Sequence, residues 1–140
     1  MTRDELAGKI YDTVKNGRKI SLSDMENYSR SHIDDFKSGI YFLYNSSNEC
    51  IYVGKVGNSK TSSLYMRMIG NGSGSHKSDD KRWYSEVAYG YWHKFNLDDD
   101  NLSKVESRDI YGMNQPKYND KDTDQSSIDG LASVLDFKVT

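Results

Sequence analysis

A chain of 140 residues with 35% hydrophobic content has room for one domain with a core of its own. Its formal net charge of −2 excludes a global basic field, so nucleic acid could be held only by a local patch. The single cysteine, Cys50, excludes an intramolecular disulfide and a cysteine-ligated zinc site, and no apolar run is long enough to span a membrane. The opening residues MTRDELAGKI lack the apolar core of a signal peptide, and the expectation is a soluble protein of the reducing cytoplasm, with no membrane partner. Eleven tyrosines and two tryptophans suit a small domain with a polar, aromatic-lined cleft.

Residues 3–15 carry Leu6, Ile10 and Val14 at helical spacing and stop at Asn16-Gly17. Ser21 or Ser23 caps a second predicted helix running to about Phe36, whose sparse apolar positions (Met25, Tyr28, Ile33, Phe36) suggest that it lies across the surface. A β-hairpin over 39–54 follows, built on two tripeptides, Gly39-Ile40-Tyr41 and Tyr52-Val53-Gly54, with ten residues between them. Asn45-Ser46-Ser47-Asn48 is turn chemistry. A two-residue Ser46-Ser47 loop sets Tyr44 opposite Glu49, Leu43 opposite Cys50, Phe42 opposite Ile51 and Tyr41 opposite Tyr52. Both tyrosines then share one face with Cys50, Ile40, Phe42, Ile51 and Val53 form the core face, and the glycines leave space for a helix or a phosphate.

Ser62 to Ile69 reads as a third helix with Leu64 and Met68 on one stripe, and residues 71–75 break it in a glycine-rich loop. A helical turn over Asp79–Glu86 precedes a third strand, in which Val87, Tyr89, Tyr91, His93 and Phe95 alternate. The acids Asp98, Asp99 and Asp100 open a helix through about Tyr111. Pro116 and Asn119 fall in the loop beyond it, residues 120–127 resemble a linker, and 128–139 are ambiguous between helix and strand. No internal repeat is present. The order predicts a mixed α/β (α+β) domain with a three-stranded antiparallel sheet flanked by helices.

The paired tripeptides resemble the signature of the GIY-YIG nuclease superfamily, the second here reading Tyr52-Val53-Gly54. Arg67 in the helix after the hairpin, Glu106 in a later helix and Pro116-Lys-Tyr-Asn119 follow in the family's order, so the resemblance covers roughly 38–120. It implies a nuclease core there, a helical extension over 1–37 and a polar linker and tail over 121–140. It further implies a Mg²⁺-dependent DNA endonuclease, with Mn²⁺ able to substitute, that leaves 5′-phosphate and 3′-hydroxyl ends in a restriction, phage or mobile-element setting. The competing reading is a binding module that kept the fold without turnover.

Phosphodiester hydrolysis needs an activated water, stabilised charge on the phosphorane and a stabilised leaving oxygen. Within the resemblance, Glu106 is the metal ligand, against the alternative of a helix-face acid paired with Arg67 or Lys104. Tyr41 activates the water, directly or through a bridging water, if the metal or cations such as Lys55 and Arg67 favour its deprotonation, and Tyr52 orients the phosphate or water. The planar fork of Arg67 suits two phosphate oxygens, and Asn119 holds the site loop or a tyrosine hydroxyl. Asn71 stands where many members have a histidine or tyrosine, a departure that leaves His76 as the stand-in. His93 reads as structural, His32 as solvated and Cys50 as packing. Lys55, Lys60, Arg67, Lys77, Lys81 and Arg82 form a DNA-binding rim interleaved with Asp79, Asp80 and Glu86, with Trp83 and Tyr84 as stacking surface. Residues 1–37 could add a DNA contact, a homo-oligomer or protein interface, or a cover for the sheet.

Overall fold

The computed structural model describes residues 3–59, 62–69, 75–77, 82–112 and 116–119. Helix α1 (Arg3–Lys15) forms on the predicted spacing, with Leu6, Ile10 and Val14 fully buried, and closes through Asn16 and Gly17 amides bonded to the Asp12 and Val14 carbonyls. The chain then forms a strand that the sequence reading did not foresee, β1 (Arg18–Ser21). Arg-Lys-Ile-Ser has one apolar residue, Ile20, so no alternation marks it, and backbone pairing alone makes it a strand.

The helix expected to reach Phe36 is broken into α2 (Leu22–Glu26), α3 (Tyr28–Ser31) and a 3-10 turn at Ile33–Phe36. Ser21 caps α2 by accepting from the Asp24 amide at 3.1 Å. His32, at φ −128° and ψ 48°, lies outside helical geometry and separates α3 from the turn. These pieces do not lie on the surface as expected: the break turns both Met25 and Phe36 into the core, each fully buried.

Strands β2 (Gly39–Tyr44), β3 (Cys50–Val56) and β4 (Tyr89–Lys94) complete an antiparallel sheet of four strands, not three, in the order β1-β4-β2-β3. All six residues of the central strand β2 are buried, because helices cover both its faces. On one face α1 and α5 (Asp99–Gly112) pack Leu6, Ile10, Val14, Leu102 and Val105 against Ile40, Phe42, Tyr44 and Val53. On the other, Met25, Phe36 and the Leu64 and Met68 of α4 (Leu64–Met68) meet Tyr41, Leu43, Ile51, Val56 and Trp92. Ser63 caps α4, and Asp98 caps α5 by accepting from the Asn101 amide at 2.8 Å. Burying about 25 cal/mol for each Å² of apolar surface on two sheet faces is the main stabilising term. No described helix is long and apolar enough to cross a membrane.

The hairpin register differs from the expected one. Tyr41 pairs with Gly54, Phe42 with Val53, Leu43 with Tyr52 and Tyr44 with Cys50, with a bulge between Leu43 and Tyr44. The turn spans 45–48 instead of closing on Ser46-Ser47: the Asn45 side chain accepts from the Ser47 and Glu49 amides, and Asn48 takes φ 63°. Near the tyrosines the shift is two residues, an even number, so Tyr41 and Tyr52 keep a common face. At the bulge the parity changes. Ile51 joins the tyrosine side instead of the Ile40 side, and Cys50 packs on the opposite face beside Tyr44.

Candidate functional site

Tyr41 is fully buried on β2, and its ring lies across the strand over Gly54. A Cβ built on Gly54 would stand 2.2 Å from Tyr41 Cζ and 2.3 Å from its hydroxyl oxygen. Gly39 is in the same situation with Trp92, whose ring carbons would lie 2.6 and 2.7 Å from an added Cβ. The glycines of the two tripeptides therefore seat aromatic rings, where space for a helix or phosphate was expected.

Four further side chains gather around Tyr41. Tyr52 lies diagonally across the hairpin, with ring centroids 6.2 Å apart. His76 presents Nε2 to the Tyr41 hydroxyl at 2.6 Å and is itself buried. It arrives because the 75–77 segment docks on the end of α4: the His76 amide donates to the Arg67 carbonyl (2.8 Å) and the Lys77 amide to that of Met68 (3.0 Å). Arg67, half-buried on α4, and the Glu106 carboxylate of α5 both lie near enough to act electrostatically on Tyr41. Five of the residues singled out from the sequence thus converge.

Burial, reinforced by Tyr52, pushes the Tyr41 phenol far above its ordinary range, outweighing the opposite effect of Arg67. Without a metal ion, the protein's own cations do not favour its deprotonation: the effect of Arg67 is outweighed by burial, and the phenol is held in its neutral form. With the phenol neutral, its O–H can donate to His76 Nε2 across the 2.6 Å contact, the direction of that bond following the histidine tautomer. The Arg67 pKa is raised, first by Tyr41, with burial opposing.

Other expected members go elsewhere. Lys55 pairs opposite Ile40 on β2, which carries its side chain to the α5 face, where Nζ donates to Ser103 at 2.6 Å. It is not a cation for Tyr41. Asn119 grips no tyrosine hydroxyl: its amide acts as a strand residue would, accepting from the Val53 N–H and donating to the Val53 carbonyl, both at 2.9 Å. Lys104 pairs with Asp100 at 3.5 Å, so it is not the partner of Glu106. The half-buried Tyr84 donates its hydroxyl to Glu26 at 2.7 Å. Of the expected rim, Arg67 and the exposed Lys77 flank His76, Arg82 lies in a 3-10 turn (Arg82–Glu86), and Lys60 and Lys81 lie outside the described residues. So do Asn71, Asp79, Asp80 and residues 121–140. His93 is half-buried in β4 and His32 is exposed, stacked on Tyr28.

The sequence reading missed Tyr118. Trp83 stacks between Tyr52 (5.0 Å) and Tyr118 (5.6 Å), and His76 meets both Tyr52 (4.8 Å) and Trp83 (5.0 Å). The signal available was Pro116-Lys117-Tyr118-Asn119, in which attention fell on the asparagine. Among the described residues no three His, Cys, Asp or Glu side chains group as a ready metal site. A single half-buried carboxylate still fits Mg²⁺, which keeps most of its waters and takes one or two protein carboxylates together with phosphate oxygens. Comparison of the chain with protein-family models, with curated proteins and with solved structures finds no match in any of the three.

Proposed function

We propose that this chain is a GIY-YIG-type, metal-dependent DNA endonuclease, acting in the cytoplasm on phosphodiester bonds and leaving 5′-phosphate and 3′-hydroxyl ends. One observation carries the reading: two tyrosines, an arginine and a histidine, far apart in sequence, gather on one side of a hairpin, within electrostatic reach of the Glu106 carboxylate of α5. Arg67 engages the scissile phosphate, where its fixed charge stabilises the charge that develops. Glu106, with phosphate oxygens and water, would hold a divalent ion. That ion, when bound, lowers the pKa of its water and neutralises the leaving oxygen. Tyr52, half-buried, is the phenol that substrate can reach. Tyr41 is a positioning residue, holding His76 through the hydrogen bond between its hydroxyl and Nε2 and lying beside Arg67.

The second reading, a nucleic-acid-binding module without turnover, draws on the same buried Tyr41 hydroxyl, since a phenol locked in its neutral form cannot serve as a base. Incubation of the purified chain with plasmid and branched DNA plus Mg²⁺ or Mn²⁺ decides between them. Metal-dependent cutting is expected, with Glu106→Ala reduced at least ~100-fold while its thermal unfolding stays wild-type. DNA bound but never cut favours the module, and full activity in Glu106→Ala removes that residue from the chemistry.

A further inference from the structure

Three half-buried rings lead outward from the site as one stack, Tyr52 on Trp83 with planes 20° apart and Trp83 on Tyr118 with planes 13° apart. The other ring pairs at this site depart further from parallel, His76 lying at 73° to Tyr52 and 53° to Trp83 and Tyr41 at 32° to Tyr52. The parallel run is therefore a property of these three side chains and not of the whole cluster. Its outer member is held in place on three sides. The Tyr118 amide donates to the Ile51 carbonyl at 2.9 Å, its hydroxyl donates to Glu86, and the next residue, Asn119, is bonded to Val53. The exposed Lys117 ammonium stands 5.1 Å from the Tyr118 ring centre and 4.0 Å from a Glu86 oxygen, a surface pair that costs little to exchange.

A fixed terminal ring with a mobile cation above it matches a nucleobase and its phosphate. The base continues the stack while the ammonium moves to the phosphate oxygen. A base inside a duplex has both faces covered by its neighbours, so only an unpaired base can enter. Resting on the nuclease reading above, we propose that the substrate class is DNA with an unpaired strand adjoining a duplex, such as an overhang, flap or fork arm, whose first free bases extend the Tyr52–Trp83–Tyr118 series. The arm would deliver the neighbouring phosphodiester toward Arg67, because Tyr52 belongs to both the stack and the site.

The test uses the full chain in EDTA, so that DNA stays intact, with a blunt duplex and the same duplex bearing a short unpaired arm. Each carries 2-aminopurine at the junction. Binding of the armed DNA on the order of tenfold tighter, with quenching of its 2-aminopurine, is expected. Tyr118→Ala should remove the preference, whereas Tyr118→Phe, which keeps the ring and loses the Glu86 bond, should retain it. Equal affinity for the two DNAs with unquenched arms overturns the inference even if the chain cleaves DNA once Mg²⁺ is supplied. Preferential, quenched binding with no cleavage after Mg²⁺ overturns the hydrolytic reading and supports the stacking surface. Failure to bind either DNA in EDTA overturns the stacking surface, and cleavage of neither DNA once Mg²⁺ is supplied overturns the hydrolytic reading as well.

Discussion

Tyr41 and Gly54 occupy the same volume from opposite strands, one supplying a ring and the other the absence of a side chain. Gly54→Ala should cost about 1–3 kcal/mol, read as a lower denaturation midpoint at unchanged m-value, because Tyr41 sits in a filled core and has nowhere to retreat. An unchanged midpoint would mean that the ring is free to move. Tyr41→Phe keeps the packing and deletes the hydroxyl bonded to His76, at an expected cost of about 1–3 kcal/mol. If Tyr41 positions without acting as the base, cleavage by this variant slows while its pH–rate profile keeps the wild-type shape. A lost acid limb would restore the phenol as the base. At this scale the family resemblance points to Tyr41, Tyr52, Arg67 and Glu106, with His76 as a stand-in, and these five lie near one another in the fold. It could not reveal that Tyr41 stays protonated, because desolvation depends on everything packed around the ring.

The hairpin and its edge carry the lesson at the level of elements. Alternation placed both tyrosines on one face, and an error of two residues in register left that conclusion intact because side chains repeat every two residues. The bulge did not spare Ile51 and Cys50, and nothing in Asn-Ser-Ser-Asn announces a bulge. As the outer strand, β3 has backbone groups facing away from β2, and the Asn119 amide meets those of Val53. Asn119→Ala should therefore destabilise the chain by about 1–3 kcal/mol and raise hydrogen exchange at the Val53 amide above that at Phe42. Equal protection at both positions would assign the 116–119 segment no part in closing the edge.

For the molecule as a whole, half-buried His93 gives stability a direction with pH. Burial lowers its pKa from 6.5, so between that value and the folded one the unfolded chain binds more protons. Stability should fall as pH drops through about 6.5 and level off below the folded pKa. His93→Gln should flatten that decline relative to wild type in denaturation midpoints measured across the range; parallel curves would place the cause elsewhere. The two-faced core also explains why the N-terminal residues cannot be read as an added cover alone. Residues of α1 fill one face, and β1 lengthens the sheet. Arg18-Lys19-Ile20-Ser21 exists as a strand only because β4 offers it a backbone edge.

What the sequence determined by itself was local in cause: helix α1 from apolar spacing, a serine cap at Ser21 or Ser23, a helix opened by the acids at 98–100, the hairpin from two alternating runs, and the common face of Tyr41 and Tyr52 from parity. What only the tertiary structure decided depends on neighbours distant along the chain. The α4 carbonyls draw His76 under Tyr41, strand alternation sends Lys55 to Ser103, the open edge of β3 recruits Asn119, and burial keeps the Tyr41 proton in place. A side chain's type and spacing fix which face it can occupy, but its charge state and partners are set by what the fold brings within a few ångströms and by how much water it removes.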